Sequence, residues 1–383
     1  MTAGRRGALR RAATRLVRSV FRVGWPRSRA ERAAAMLSSL VLHVHPTRVR
    51  ARVLSPSTTL GLGLVSFYLF ALLTVTGLAL MLYYVPHPDA AYRSMKDIEY
   101  ATTFGMFIRN AHRWAAHGMV AVVFLHMCRV FFTGAYKRPR EFNWVVGVFL
   151  LLLTLALSFT GYLLPWDQLA FWAITVGTSI VAYAPLVGEP LRYLLLGGYE
   201  IGQAALLRFY VLHCVVLPLA MAALVALHFW RVRKDGGIAL PPGPARRVLV
   251  WPHLLFRELI VLVLVLVVVH VAALVANAPL EEIADATRTP NPAKAPWYFL
   301  GLQELVHYGA VLGGVVVPAA IVLALLALPY VDTRPGGAGV WFARERRLAN
   351  AIFSALALAV VALTVVGTFF RGPNWAWVWP WAP

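Results

Sequence analysis

Charged residues, acidic residues and cysteines are all scarce in this sequence of 383 residues. Only 14% of the residues are charged, whereas about a quarter are charged in an ordinary soluble domain. With two cysteines, Cys128 and Cys214, the chain is not a disulfide scaffold. Apolar residues make up 60% of the chain, which excludes a disordered protein and indicates a membrane protein.

Long apolar runs predict seven membrane-crossing helices of about 20 residues each, and so an all-α membrane protein. The predicted spans lie at about 60–85, 113–133, 143–164, 209–230, 256–276, 309–330 and 348–370. The segment 166–206 is also apolar, but prolines and glycines interrupt it. We expect short surface helices there, with an eighth span as the alternative.

The basic residues divide unevenly between the two sides that these spans define. Of the 36 Lys and Arg residues, 27 fall on the side of the N-terminus and 9 on the other side. Cytoplasmic loops carry the excess of Lys and Arg, so the N-terminus is predicted to be cytoplasmic. The net charge of +20 therefore indicates topology and contact with anionic membrane lipid, and not binding to nucleic acid.

Four histidines bracket two of the predicted spans. His112 and His126 are 14 residues apart on the second span, and His213 and His228 are 15 apart on the fourth. The members of each pair are therefore separated by about 21–22 Å along the helix, on roughly one face. Both spans run inward, so we expect His112 to face His213 on the outer side and His126 to face His228 on the cytoplasmic side.

Two imidazoles that face each other across a helix bundle are typical axial ligands of a b-type haem. A zinc site would need more ligands at each level. Any one of these histidines taken alone has an alternative interpretation, a hydrogen-bonded core residue. Four at matched depths predict two non-covalent b haems within the first four spans, and electron transfer across the bilayer.

Glycines provide a second pattern with the same spacing. Gly63 and Gly77 lie 14 residues apart on the first span, and Gly147 and Gly161 lie 14 apart on the third. A glycine inside a helix is unfavourable and commonly marks the close approach of something bulky. We expect the two haem rings to pack against these glycines; ordinary small-residue helix packing is the alternative.

Several motifs occur in a fixed order along residues 40–383. They are R-x-x-H at 109–112, H-x-x-R at 126–129, GYLLPWDQ at 161–168, RFYVLH at 208–213, HFWRVRKDGG at 228–237 and PAKAPWYFL at 292–300. With them the chain resembles cytochrome b of the quinol–cytochrome c (bc) and plastoquinol–plastocyanin (b6f) complexes. The 15-residue histidine spacing and PWDQ resemble the b6 branch, with b6-like and subunit IV-like parts fused in one chain.

This resemblance implies three regions: a basic cytoplasmic arm at 1–55, a b6-like di-haem part at 56–240 and a subunit IV-like part at 241–383. It also implies a quinol oxidoreductase that couples quinol oxidation to proton translocation. The expected partners are a Rieske iron–sulfur protein, a c-type cytochrome and a second copy of the complex. The expected location is the inner membrane of a bacterium.

The resemblance also implies roles for individual residues. His112 and His213 would ligate a low-potential haem, and His126 and His228 a high-potential haem. The remaining candidates are haem-propionate contacts at Arg109, Arg113 and Arg129, an outer quinol site at Pro296, Trp297 and Tyr298, and a cytoplasmic quinone site at His43, His45, Arg231 and Asp235.

The sequence departs from the family in two ways. Its outer-site motif Pro-Glu-Trp-Tyr is replaced by Ala-Pro-Trp-Tyr at 295–298, so the motif lacks its carboxylate. We expect Glu304 to substitute as a proton acceptor, with a pKa raised by partial burial; a solvated helix-end acid is the alternative. The first span has no cysteine, so no covalent haem c is expected.

Two other functions remain open at this point. One is a di-haem membrane anchor of a periplasmic dehydrogenase or hydrogenase, which would lack the PWDQ and PWYFL segments. The other is a secondary transporter with histidines inside the membrane, which would have inverted repeats and no haem.

Overall fold

A computed structural model describes residues 26–38, 45–244, 246–334 and 336–381, and it is predominantly helical. The helices of the described chain are α1 Arg29–Ser38, α2 Pro56–Thr59, α3 Leu62–Met81, α4 Pro88–Tyr100, α5 Gly105–Phe132, α6 Glu141–Tyr162, α7 Gln168–Ala182, α8 Gly188–Leu196, α9 Gln203–Val211, α10 Leu217–Lys234, α11 Val250–Val275, α12 Trp297–His307, α13 Val317–Val331 and α14 Arg347–Phe369. The described chain also contains two three-residue strands, β1 Arg48–Arg50 and β2 Arg247–Leu249.

Seven helical segments of the described chain are long and apolar enough to cross a membrane, which confirms the prediction. They are Leu62–Met81, Gly105–Phe132, Glu141–Tyr162, Gln203–Lys234, Val250–Val275, Leu312–Val331 and Arg344–Phe369. The segment 166–206 forms α7, α8 and the start of α9, so the expectation of short helices is also confirmed.

The described residues form two compact units. The smaller unit contains the described residues up to Thr58 and those between Gly243 and Ile260. Its strands β1 and β2 pair antiparallel, with Val49 opposite Val248. Nε2 of His45 lies 3.1 Å from Oε1 of Glu258 within this unit.

The larger unit contains the bundle of membrane-spanning helices. Small residues allow close packing there: Ala111 and Ala115 of α5 are buried in one cluster with Leu69 of α3 and Val265 of α11. Close approach of helix backbones replaces hydrophobic burial as the main source of helix association in lipid. The bundle is thus drawn together at small side chains.

Two π-helical segments interrupt the spans, and each precedes a proline. Leu212–Val216 leads into α10, which has Pro218 in its first turn, and Leu312–Val316 leads into α13, which has Pro318 there. Proline removes a hydrogen-bond donor and clashes with the carbonyl four residues earlier. A wider π turn just before the proline accommodates both effects.

Candidate functional site

The structure brings together the histidine pairs that the sequence predicts. The ring centres of His112 and His213 are 6.3 Å apart, and the ring planes are 79° from parallel. The ring centres of His126 and His228 are 6.5 Å apart, with planes at 77°. The two pairs therefore have almost the same geometry at two depths of one bundle.

These separations match the size of a bis-imidazole metal site. With a metal–nitrogen distance of about 2 Å and about 1.2 Å from ring centre to nitrogen, two imidazoles on opposite sides of one metal ion have centres about 6.4 Å apart. Among the described residues, no group of three or more His, Cys, Asp or Glu side chains is arranged to hold a metal ion. A macrocycle that supplies its own four nitrogen ligands fits a site with only two protein ligands.

Two threonines determine the tautomer of the histidines at one end of the bundle. The Thr76 hydroxyl lies 2.9 Å from Nδ1 of His112 and donates its hydrogen to the carbonyl of Leu72. It therefore accepts a hydrogen bond from Nδ1–H. Nε2 of His112 then keeps its lone pair and is the atom available to a metal ion.

His213 has the same arrangement. The Thr160 hydroxyl donates to the carbonyl of Ala156 at 2.9 Å and lies 3.2 Å from Nδ1 of His213. Each threonine immediately precedes a glycine, Gly77 or Gly161, so the repeated Thr-Gly dipeptide was the sequence signal for this interaction. Neither threonine was predicted from the sequence as a partner of a histidine.

A π-helical segment explains why the second histidine pair has one extra residue between its members. His213 lies inside the π-helix Leu212–Val216, whereas His112 and His126 both lie on the uninterrupted helix α5. A π turn accommodates one additional residue in a helix. The 15-residue spacing on the fourth span and the 14-residue spacing on the second therefore place the histidines of the two spans at matching positions.

Each of the four predicted glycines lies against one of the four histidines. A Cβ added at Gly63 would lie 3.0 Å from Cε1 of His126, and one at Gly77 would lie 3.2 Å from Cε1 of His112. A Cβ at Gly161 would lie 2.9 Å from Nε2 of His213. At Gly147 the contact is looser, 3.8 Å from Cε1 of His228.

The glycines therefore adjoin the histidines directly. In the structure the nearest atoms to each added Cβ belong to imidazole rings. The glycines leave room for the histidine side chains, and packing of haem rings against Gly63, Gly77, Gly147 and Gly161 stays a prediction.

The three arginines predicted to contact haem propionates differ in their surroundings. Arg109 donates to Oε1 of Glu99 at 2.5 Å and to the carbonyls of Ala278 and Pro279 at 2.8 Å. These bonds use Nη1 and Nη2 of the guanidinium, and the contact of Arg109 with a propionate stays a prediction. Arg129 is buried three residues after His126.

Arg113 fits an anionic group better. Its guanidinium carbon lies 5.2 Å from the ring centre of Tyr162. Its Nε is buried without a hydrogen-bond partner among the described residues. A buried donor without a partner is costly, and a propionate would satisfy it.

The PWDQ motif joins the helix α7 to the segment that precedes α12. Asp167 caps α7 by accepting from the amide of Ala170 at 2.8 Å, and its other oxygen accepts from the amide of Glu281 at 3.1 Å. Oε1 of Gln168 accepts from the amide of Asp285 at 2.7 Å. Burial raises the pKa of Asp167, although the two amides oppose that shift. We call the contacts of Asp167 and Gln168 the PWDQ clamp.

The predicted outer-site motif forms the start of α12. Pro296 is the residue before the helix and has neither a carboxylate nor an N–H, and Trp297 and Tyr298 follow. Nε1 of Trp297 donates to Nδ1 of His117 at 2.9 Å. The sequence did not predict this contact of His117 with the motif.

Glu304 does not have the environment that the sequence predicted. Its side chain is fully buried and pairs with Arg371, with 2.5 Å between Oε1 and Nη2, and its Oε2 accepts from Nε1 of Trp375 at 2.8 Å. Burial alone would raise the pKa of Glu304, but the hydrogen bonds from Arg371 and Trp375 lower it below its usual value. The expected raised pKa is wrong.

The candidates for the cytoplasmic quinone site lie in different parts of the chain. His43 lies outside the described residues, and His45 contacts Glu258 in the smaller unit. In the larger unit, Nη2 of Arg231 is 2.9 Å from Oδ1 of Asp235, one helical turn further on. Arg231 and Asp235 each also have a buried polar atom without a hydrogen-bond partner among the described residues.

A bundle of seven membrane-spanning helices with two facing histidine pairs is the architecture of a transmembrane electron-transport protein. The chain belongs to the cytochrome b/b6 family. The family model described as cytochrome b/b6/petB matches residues 50–236, and the model described as cytochrome b(C-terminal)/b6/petD matches residues 283–381. The two matches confirm the resemblance to a fused cytochrome b/b6 protein.

Individual proteins are similar to different extents. Cytochrome b6 of Heliobacterium mobile is 45% identical over 185 residues, which cover 47% of this chain and 87% of that protein. Cytochrome b6 of Euglena gracilis is 43% identical over 175 residues, 46% of this chain and 81% of that protein. A solved chain titled "Hyperthermophilic respiratory Complex III" has a TM-score of 0.73 at 28% identity and covers 86% of this chain and 87% of that chain.

Family membership establishes the coarse function. The chain is a multi-pass membrane protein, a cytochrome b subunit of a bc-type oxidoreductase, and its family binds b-type haem.

Proposed function

We propose that the chain oxidises quinol in a Rieske/cytochrome b complex and couples that reaction to proton translocation. The observation that carries the proposal is the pair of equal histidine arrangements, with ring centres 6.3 Å and 6.5 Å apart. They provide two positions of the same kind at two membrane depths. The PWYFL motif lies beside the same helix, α5, through the bond between Trp297 and His117.

His112 and His213 would hold a low-potential haem, and His126 and His228 would hold a high-potential haem. When bound, the two haems supply one-electron carriers at the two depths. The protein orients the imidazoles through glycines and, at the first pair, through threonine hydroxyls. Arg113, with its unpartnered buried Nε, is the proposed propionate contact.

The quinol site is proposed at the start of α12, around Trp297 and Tyr298. Oxidation of one quinol releases two electrons and two protons. One electron would pass to a Rieske iron–sulfur protein and the other to the low-potential haem. A cytoplasmic site that includes Arg231 and Asp235 would bind the quinone to be reduced.

The assembly and its orientation belong to the same proposal. Residues 56–240 would form the di-haem part and 241–383 the part that completes the quinol site, after a basic arm at 1–55. The excess of Lys and Arg supports a cytoplasmic N-terminus in a bacterial inner membrane. A Rieske protein, a c-type cytochrome and a second copy of the chain are the proposed partners, and neither nucleic acid nor covalent haem c takes part.

A di-haem anchor of a dehydrogenase or hydrogenase is the second candidate. It accounts for the histidine pairs but gives no role to the PWDQ clamp or to the last three spans.

A reduced-minus-oxidised spectrum of the purified chain, followed by addition of a short-chain quinol to the complete complex, tests the proposal. We expect two b-type haems per chain and reduction of a b haem by quinol when the Rieske partner is oxidised. One haem per chain, or none, contradicts the histidine assignment. Two haems without quinol-dependent reduction, in a preparation that lacks a Rieske protein, favour the anchor.

A further inference from the structure

His117 connects the helix that carries two of the proposed haem ligands to the proposed quinol site. It lies on α5, five residues after His112. Nε1 of Trp297 lies 2.9 Å from Nδ1 of His117, and the ring centre of Tyr298 lies 5.7 Å from the imidazole centre. Trp114 packs on the same imidazole, with ring centres 5.5 Å apart.

The bond with Trp297 determines which nitrogen of His117 carries the proton. An indole N–H can only donate, so Nδ1 of His117 must accept. The hydrogen of the neutral ring is then on Nε2. Nε2 is buried and has no hydrogen-bond partner among the described residues.

A buried N–H without an acceptor costs free energy, and a bound oxygen atom would remove that cost. The position that holds a carboxylate in the family is Pro296 here, which offers no polar hydrogen and no side-chain oxygen. His117 therefore brings a polar group from α5 to a site whose own motif lacks one.

On the basis of the proposed function, we propose that Nε2–H of His117 donates a hydrogen bond to a ring oxygen of quinol bound against Trp297 and Tyr298. In this role His117 binds and orients the substrate. It is not the proton acceptor, because its other nitrogen is already bonded to Trp297. The site thus recognises a quinol oxygen with a donor, where the family uses a carboxylate.

Two substitutions of similar shape separate this role from packing. His117→Gln can accept from Trp297 through its amide oxygen and donate through its amide nitrogen, whereas His117→Met can do neither. The complex is kept in its native membranes and is given a short-chain naphthoquinol in one series and a short-chain benzoquinol in another. The rate of haem reduction is recorded against quinol concentration.

We expect the quinol concentration for half-maximal rate to rise about tenfold in His117→Met and to stay within about threefold of wild type in His117→Gln. The matched control is His270→Met, since His270 also lies in a span and packs on Phe107 at 5.3 Å. The control should leave the half-saturating concentration unchanged.

Haem content separates the possible failures. If wild-type membranes contain both haems but quinol does not reduce them, the proposed function is wrong. If wild type is active and His117→Met retains both haems with an unchanged half-saturating concentration, only the proposal for His117 is overturned. If His117→Met does not assemble, His117→Leu takes its place. The proposal is also overturned if His117→Gln raises the half-saturating quinol concentration as much as the apolar variant does. The loss of the imidazole shape would then explain the effect of both substitutions.

Discussion

The two ends of the bundle hold their histidines at the same separation but support them differently. At the His112 end, Thr76 and Thr160 accept hydrogen bonds from Nδ1 of His112 and His213. At the His126 end, Nδ1 of His126 and Nδ1 of His228 have no side-chain hydrogen-bond partner among the described residues. Bundle geometry therefore sets the separation of the imidazole rings at both ends. The threonines make the two ends differ in the electron density of the histidine rings.

The threonine hydrogen bonds should affect the reduction potential of a bound metal ion in one direction. A hydrogen bond from the non-ligating nitrogen increases the basicity of a ligating imidazole. A more basic ligand stabilises the oxidised metal ion and lowers its reduction potential. The threonines thus give physical support to the proposed assignment of the low-potential haem to the His112 end.

The largest expected effect is the loss of one haem at a time. If each pair shares one ion, as proposed, His112→Ala and His213→Ala should each remove the same haem, and the double variant should still contain the other. A haem assay combined with a redox titration of the visible spectrum measures this. His126→Ala provides the mirror control and should remove the haem of higher potential. Loss of both haems from the His112/His213 double variant would show that the pairing is wrong.

Breaking a buried ion pair should be costly at both ends of the bundle. Glu304→Gln leaves the buried guanidinium of Arg371 without its counter-ion, at a cost of about 3–5 kcal/mol. Asp332→Asn at the His126 end removes the shared counter-ion of Arg346 and Lys137, whose side chains are 1% and 6% exposed, so its cost should be of the same order. Thermal unfolding of the purified protein in detergent compares the two.

The same pair predicts a pH dependence. The pKa of Glu304 is lowered in the folded protein, so its ion pair contributes fully above the usual pKa of 4.5 and is lost as pH falls through the lowered value. Wild type should therefore lose stability on acidification over that range, and Glu304→Gln should lose less. Equal acid sensitivity of the two proteins would contradict this explanation.

Glycine contacts predict a smaller difference between the ends. Gly161→Ala brings a methyl group to 2.9 Å from Nε2 of His213, while Gly147→Ala brings one to 3.8 Å from Cε1 of His228. Overpacking costs about 1–3 kcal/mol, so Gly161→Ala should reduce the content of the His112-end haem. Gly147→Ala meets an ordinary van der Waals contact and serves as the control. If the haem spectrum shows full haem content in both variants, the role of these glycines would be simple helix packing.

The smallest expected effect concerns the threonines. Thr76→Val removes a hydrogen bond of about 0.5–1.5 kcal/mol, which corresponds to roughly 20–65 mV for one electron. The potential of the His112-end haem should rise by that amount, and the potential of the other haem should not change. Thr154→Val on α6 is the control, since the hydroxyl of Thr154 bonds to the carbonyl of Leu150 in its own helix and to no histidine among the described residues. If a redox titration finds the same haem potentials in Thr76→Val as in wild type, the threonines do not explain the difference in potential between the two ends.

Much of the architecture could be predicted from the sequence because it depends on length and spacing. Apolar runs are sufficient to locate spans, and helical periodicity is sufficient to pair His112 with His213. The π-helix around His213 could not be predicted from spacing alone, although Pro218 was a signal of irregularity.

The incorrect prediction concerns a residue whose partners are distant in sequence. Glu304 was expected to have a raised pKa, but Arg371 and Trp375, 67 and 71 residues later, determine its environment. The bonds of Arg109 to the carbonyls of Ala278 and Pro279 were likewise not predicted, although its contact with a propionate stays a prediction. Periodicity describes one helix at a time and carries no information about such partners.

The PWDQ clamp has a consequence for the integrity of the polypeptide. The side chains of Asp167 and Gln168 accept hydrogen bonds from the backbone amides of Glu281 and Asp285, so these contacts tie the second part of the chain to the first independently of the peptide bonds between them. A nick in the exposed loop near Pro242 would leave these bonds in place. Two separately synthesised fragments joined only by such contacts would then complement each other, and the covalent linkage would serve mainly to keep their stoichiometry equal.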